Sequence, residues 1–141
     1  MTKWMKKLGF GLIAVFIVAQ FVPVARVNPT ERGQPAAPVE VQDILQRACY
    51  DCHSNETRWP WYSQVAPASF LIARDVTDGR RELNFSLWNQ YNERRKSRKL
   101  KEIAEQVEKR KMPQWYYVPF HPEAQLSPTE RDLILSWAKQ P

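Results

Sequence analysis

The sequence predicts an all-α protein: a domain of about four to five helices preceded by an apolar N-terminal helix. Three observations carry this. Apolar side chains recur at i, i+3, i+4 and i+7 in several separate stretches. Only four glycines occur in 141 residues, and no run alternates apolar with polar as a strand would. Aromatic residues make up 12% of the chain, six of them Trp, which supplies a core and excludes a disordered chain.

The N-terminal element comes first. Lys3, Lys6 and Lys7 precede Leu8 to Ala25, a stretch with no charge and one strongly polar side chain, Gln20. As a helix it reaches about 27 Å, close to a bilayer core of about 30 Å. Residues 1–26 therefore read as a signal anchor or a signal peptide, a transmembrane or signal helix. The uncleaved form is favoured, because Pro23 stands where a small residue is wanted before the best cleavage point after Ala25. Lysines before the run and none just after it place the N-terminus in the cytoplasm, so the remainder is expected as an exported domain on the outer face of the membrane.

Residues 27–38, VNPTERGQPAAP, read as a Pro-rich linker extending about 37 Å. The domain then occupies 39–141. Four of the 21 basic residues lie within residues 1–26 with no acid, leaving 17 against 15 acids in the remainder. A balance so near neutral gives nucleic-acid binding no support.

Val41, Ile44, Leu45 and Ala48 form the stripe of a first helix running into Cys49. A short helix from Phe70 to Val76 follows Pro67, with Ser69 as cap and Asp78-Gly79 as its stop. Leu87, Trp88 and Tyr91 suggest a further turn or two. Leu100, Ile103, Ala104 and Val107 mark a longer helix, which Met112-Pro113 ends because a residue before proline is pushed out of the helical region. In the last helix Ser127 caps, Pro128 takes the first position, Glu130 completes a capping box, and Leu133, Ile134 and Trp137 point inward.

The chemistry lies in Cys49-Tyr50-Asp51-Cys52-His53, the C-x-x-C-H pattern of covalent c-type haem attachment. Two thiols one helical turn apart can add to the two vinyl groups of one porphyrin, and the adjacent imidazole then falls beneath the iron. Chance placement yields this spacing with a following His about twice in ten thousand. Thiol redox chemistry would want a βαβ setting, and a zinc site needs about four ligands where the chain has two Cys and two His. Two cysteines also make no disulfide scaffold.

The second axial ligand is sought among Met112, His121 and a lysine. Met112 is favoured as the domain's only thioether, placed at a helix-to-loop step. His121, in a proline-flanked loop, reads better as a surface or propionate-contacting side chain. Ligating histidines donate their other nitrogen to a carbonyl, and Pro60 or the Ala66-Pro67 turn are the candidates. Arg58, Trp59, Trp61 and Tyr62 bring donors and aromatic area suited to propionates and the porphyrin edge. Arg94 to Lys111 holds nine basic residues against three glutamates, a solvated face or, beside a haem edge, a surface steering an acidic redox partner.

The first helix into CYDCH, the Met112-Pro113 step and the last helix ending in LSWA resemble the monohaem cytochrome c fold. CYDCHSNETRWPWYSQVAPASF, DGRRELNFSLW and KMPQWYYVPFHPEAQLSPTERDLILSWA resemble more closely the bacterial haem-binding domain family of membrane-anchored, cytochrome-c-like exported proteins, over about Val39 to Ala138. That resemblance implies one haem c attached through Cys49 and Cys52, with His53 as proximal and Met112 as distal ligand. The expected function is one-electron transfer by a monomeric, single-pass protein of the cytoplasmic membrane, its haem domain outside. A peroxidase-like haem or a haem-based sensor with an open sixth position is the alternative. No catalytic residue is expected for the carrier.

Overall fold

The computed structural model describes residues 2–140, and among these every regular element is helical. They are α1 (Lys3–Ala19), α2 (Val39–Ala48), α3 (Tyr50–His53), α4 (Ala68–Glu82), α5 (Glu93–Glu108) and α6 (Pro128–Ala138), with four short 3₁₀ turns between them.

The core forms where the apolar stripes meet. Val41, Ile44 and Leu45 of α2, Ile103, Ala104 and Val107 of α5, and Ile134 and Trp137 of α6 pack with Phe85, Trp88 and Tyr91 of the turn before α5. Helix α6 has the expected capping box, Glu130 N donating to Ser127 Oγ at 3.2 Å and Ser127 N to Glu130 Oε2 at 2.8 Å. Its inward face differs from expectation by one residue: Leu133 is exposed, while Ile134, Trp137 and Ala138 are buried. The stripe 134, 137, 138 is the helical i, i+3, i+4 set, and 133 lies off it.

Two helices end elsewhere than expected. Helix α4 passes through Asp78-Gly79 to Glu82, so this pair does not stop it. Helix α5 ends at Glu108, short of Met112-Pro113. The stop is a Schellman motif: Lys111 N donates to Gln106 O at 2.9 Å, Arg110 N to Val107 O at 3.1 Å, and Arg110 takes the left-handed φ of 54° that usually falls to glycine.

The N-terminal segment departs most. Helix α1 ends at Ala19, before the apolar run is finished, and no helix among the described residues is long and apolar enough to cross a membrane. No residue of α1 is buried. Residues 27–38 do not extend as a free spacer but lie along the domain as a strap. Asn28 Nδ2 donates to Thr57 O at 2.9 Å, Trp137 Nε1 donates to Ala36 O at 3.0 Å, and Pro35 is fully buried. Gly33 passes so close to the 3₁₀ turn that a Cβ there would meet Ser86 O at 2.7 Å. Prolines set the strap's extended shape, yet the carbonyls of Val27, Glu31 and Ala36 accept hydrogen bonds from the domain that a free spacer would leave to water.

Candidate functional site

The stripe of α2 delivers the chain to Cys49, where φ of −127° breaks the helix, and α3 restarts at once as a single turn. Cys49 O accepts from both Cys52 N at 3.2 Å and His53 N at 2.9 Å, which closes the turn and turns both sulfurs to one cavity. Both cysteines are free thiols. Burial pushes each up to about 12, so they are held protonated.

His53 is fixed by α4 rather than by Pro60 or the Ala66-Pro67 turn. Its Nδ1 lies 3.0 Å from Gly79 O and 3.1 Å from Leu83 O, so it carries the proton and donates to both carbonyls. These belong to the last turn of α4 and its C-cap; Gly79 O also accepts from Leu83 N at 2.8 Å, so that carbonyl is shared between the helix and the imidazole. Nε2 forms no hydrogen bond among the described residues, and burial lowers the ring's proton affinity, leaving a neutral imidazole with one free nitrogen. Gly79 is what allows the approach. A Cβ there would lie 2.5 Å from Cys52 O, so α4 can pack on the C-x-x-C-H turn only through a glycine.

Cys49, Cys52, His53 and Met112 all line one cavity of about 620 Å³, within the range of cofactor sites. Leu45, Val76, Leu83, Phe85, Ile103 and Ile134 give it an apolar wall drawn from α2, α4, α5 and α6. Met112 reaches it because the Schellman motif reverses the chain just before it. His121 does not line it. Its Nε2 meets Tyr62 Oη at 2.6 Å, its Nδ1 meets Glu123 Oε1 at 3.1 Å, and its ring stacks on Tyr117 at 4.0 Å.

Several polar groups around the cavity escaped the sequence reading. Asp51, buried between the two cysteines, accepts from Arg58 N at 2.9 Å, from the Arg58 guanidinium at 3.1 and 3.2 Å, and from Tyr117 Oη at 2.8 Å. Asp75 lines the cavity, accepts from Tyr116 Oη at 3.0 Å, and is raised by burial. Lys99 is buried, lines the cavity and pairs with Glu102. Its place was legible, since 99, 103 and 107 share one helix face. Of the aromatic group, Trp61 is exposed, while Trp59 Nε1 is buried without a partner among the described residues, between Arg58 and Pro60, both of which line the cavity.

An all-helical domain with a thiol pair, an oriented imidazole and a thioether on one apolar cavity has the donor set of a haem protein. The sequence profile of the haem-binding domain family matches residues 14–140, and the chain belongs to that family. No curated protein and no solved structure matches it.

Proposed function

We propose that the protein is a monohaem c-type electron carrier, its haem joined covalently to Cys49 and Cys52 and ligated by His53 and Met112. The observation that carries this is the single cavity shared by these four side chains. Bound there, haem supplies reversible one-electron chemistry at its iron. The chain's own contributions follow from the geometry. The protonated thiols of Cys49 and Cys52 are the form that would add S and H across the haem's vinyl bonds, with no oxidant required. Gly79 O and Leu83 O orient His53 and leave Nε2 free to bind metal. Arg58 and the unpartnered Trp59 Nε1 are donors of the right chemistry for propionates. The Met112 thioether would favour the reduced iron and leave it no open position for a small molecule.

Helix α5 lines the cavity through Ile103, Gln106 and Val107, and its basic segment would therefore border a haem held there. Arg94, Lys101, Arg110 and Lys111 form no ion pair among the described residues and offer positive charge to an acidic redox partner. Helix α1, apolar, unburied and led by lysines, supports attachment of a monomer to the cytoplasmic membrane with the domain on its outer face.

Oxidised and reduced visible spectra, with and without carbon monoxide, test the carrier. The expected result is six-coordinate, low-spin iron that resists carbon monoxide in the wild type and binds it readily in Met112→Ala. A wild type that binds it as readily as the variant has an open site and is a sensor or a peroxidase-like protein. Haem staining after denaturing electrophoresis tests the covalent bond, and staining should weaken or disappear in Cys52→Ala.

A further inference from the structure

The strap between α1 and the domain is tied at its beginning as firmly as along its length. Gln20, one residue beyond α1, receives Ala66 N on its Oε1 at 2.9 Å and donates from Nε2 to Ala66 O at 3.4 Å. Arg26 donates to Ser63 O at 3.1 Å. Arg80 of α4 then reaches across the path, donating to Val27 O at 2.6 Å and Asn28 Oδ1 at 2.8 Å as well as to Ser54 O at 2.7 Å behind the C-x-x-C-H turn. The apolar helix is therefore joined to the domain at one defined place, the connection between the 3₁₀ turn Trp61–Gln64 and α4.

The surface around that place is apolar and open. Trp61 is 76% exposed, Phe120 71%, Leu71 43%, Val65 38% and Phe70 37%. They are neighbours: Tyr62 stands 5.8 Å from Trp61 and 5.6 Å from Phe120, and Val65 to Leu71 is the chain on either side of Ala66. Contiguous exposed apolar surface marks an interaction site. Its continuity with α1, which has no buried residue of its own, identifies the occupant, because whatever covers the helix continues over the patch. Tryptophan in such a surface and the guanidinium of Arg26, held at Ser63, suit lipid headgroups.

We infer that the face formed by Trp61, Val65, Phe70, Leu71 and Phe120 rests on the lipid surface beside α1, so that the strap holds the domain in one orientation instead of letting it swing on a tether. This rests on the proposed attachment through α1. Pro60 and Leu71 border both this face and the cavity, so one edge of the cofactor site is turned toward the membrane.

The test uses the full chain, haem-loaded, in vesicles of phosphatidylethanolamine and phosphatidylglycerol. A nitroxide-bearing amino acid replaces Trp61 or Phe70, with Leu133 on α6 as the control position. An unchanged visible spectrum establishes that each labelled protein is folded. Labels at 61 and 70 should relax readily with dissolved oxygen and lose collisions with a water-soluble nickel chelate, and the label at 133 should do the reverse. Protein that floats with the vesicles while labels at 61 and 70 collide freely with the chelate overturns the docked face and leaves the attachment standing. Protein that does not float overturns both. Dipolar broadening between labels at 61 on two chains makes the face a contact between copies and overturns the lipid assignment.

Discussion

Replacing Gly79 with alanine should destabilise the protein, against the rule for glycine in a helix. Gly79 lies inside α4 and no glycine here has positive φ, so helix propensity alone credits alanine with about 1 kcal/mol. The new Cβ, however, would stand 2.5 Å from Cys52 O and 3.1 Å from Cys52 C. These are backbone atoms of the C-x-x-C-H turn and cannot swing aside as a side chain would. Relief to even 3.0 Å moves α4 by about 0.5 Å, which stretches the 3.0 Å contact from His53 Nδ1 to Gly79 O to the limit of a hydrogen bond. Overpacking costs typically about 1–3 kcal/mol and a weakened hydrogen bond about 1 more. Set against the propensity gain, the net loss is about 1–3 kcal/mol, or a fall in Tm of roughly 3–12 °C at this chain length. Thermal unfolding of Gly79→Ala beside Gly9→Ala, where a Cβ meets nothing within 4 Å, measures it. An unchanged or raised Tm in Gly79→Ala would refute the close approach of α4 to the C-x-x-C-H turn.

Three further outcomes follow from particular contacts. Arg110→Gly should stabilise the protein by about 1 kcal/mol, read as a higher midpoint in urea, because the Schellman position costs a side chain that much at positive φ. Asp51→Ala should cost about 1–3 kcal/mol by leaving Arg58 N and Tyr117 Oη without their acceptor. Arg58→Ala should cost less than about 1 kcal/mol, since that guanidinium is 62% exposed and its ion pair is screened; denaturation of the two variants compares them. Asp75 is raised by burial above its ordinary 3.8, so the folded state binds its proton more tightly than the unfolded one and stability falls as pH rises through that window. Asp75→Asn should therefore melt higher than the wild type at pH 7, and the difference should vanish below about pH 3.8, where both states carry the proton.

The helical class and the grouping of two thiols with an imidazole were legible because each depends on near neighbours in the chain. The stripe 41, 44, 45, 48 needs only helical periodicity to aim at a core, and the capping box at Ser127 and Glu130 closes within one turn. The C-x-x-C-H spacing likewise sets two thiols and an imidazole on one turn before any tertiary contact exists. Nothing equally local marks Gly79 as a contact point, and an Asp-Gly pair reads as a helix stop until α4 is seen against Cys52 O.

What only the tertiary structure decided is where polar groups find partners far along the chain. His53 takes its carbonyls 26 and 30 residues away, and Asp51 receives Tyr117 Oη from 66 residues away. His121 was a candidate ligand by type alone and is withdrawn from the cavity because Tyr62 and Glu123 claim both its nitrogens. The Pro-rich stretch from Val27 to Pro38 has the composition of a free spacer, since local sequence records its stiffness and not its partners. Arg80, Thr57 and Trp137 hold it to the domain, and the Thr57 and Trp137 bonds are partly buried, where a polar group drawn out of water is paired by whatever partner the fold brings to it.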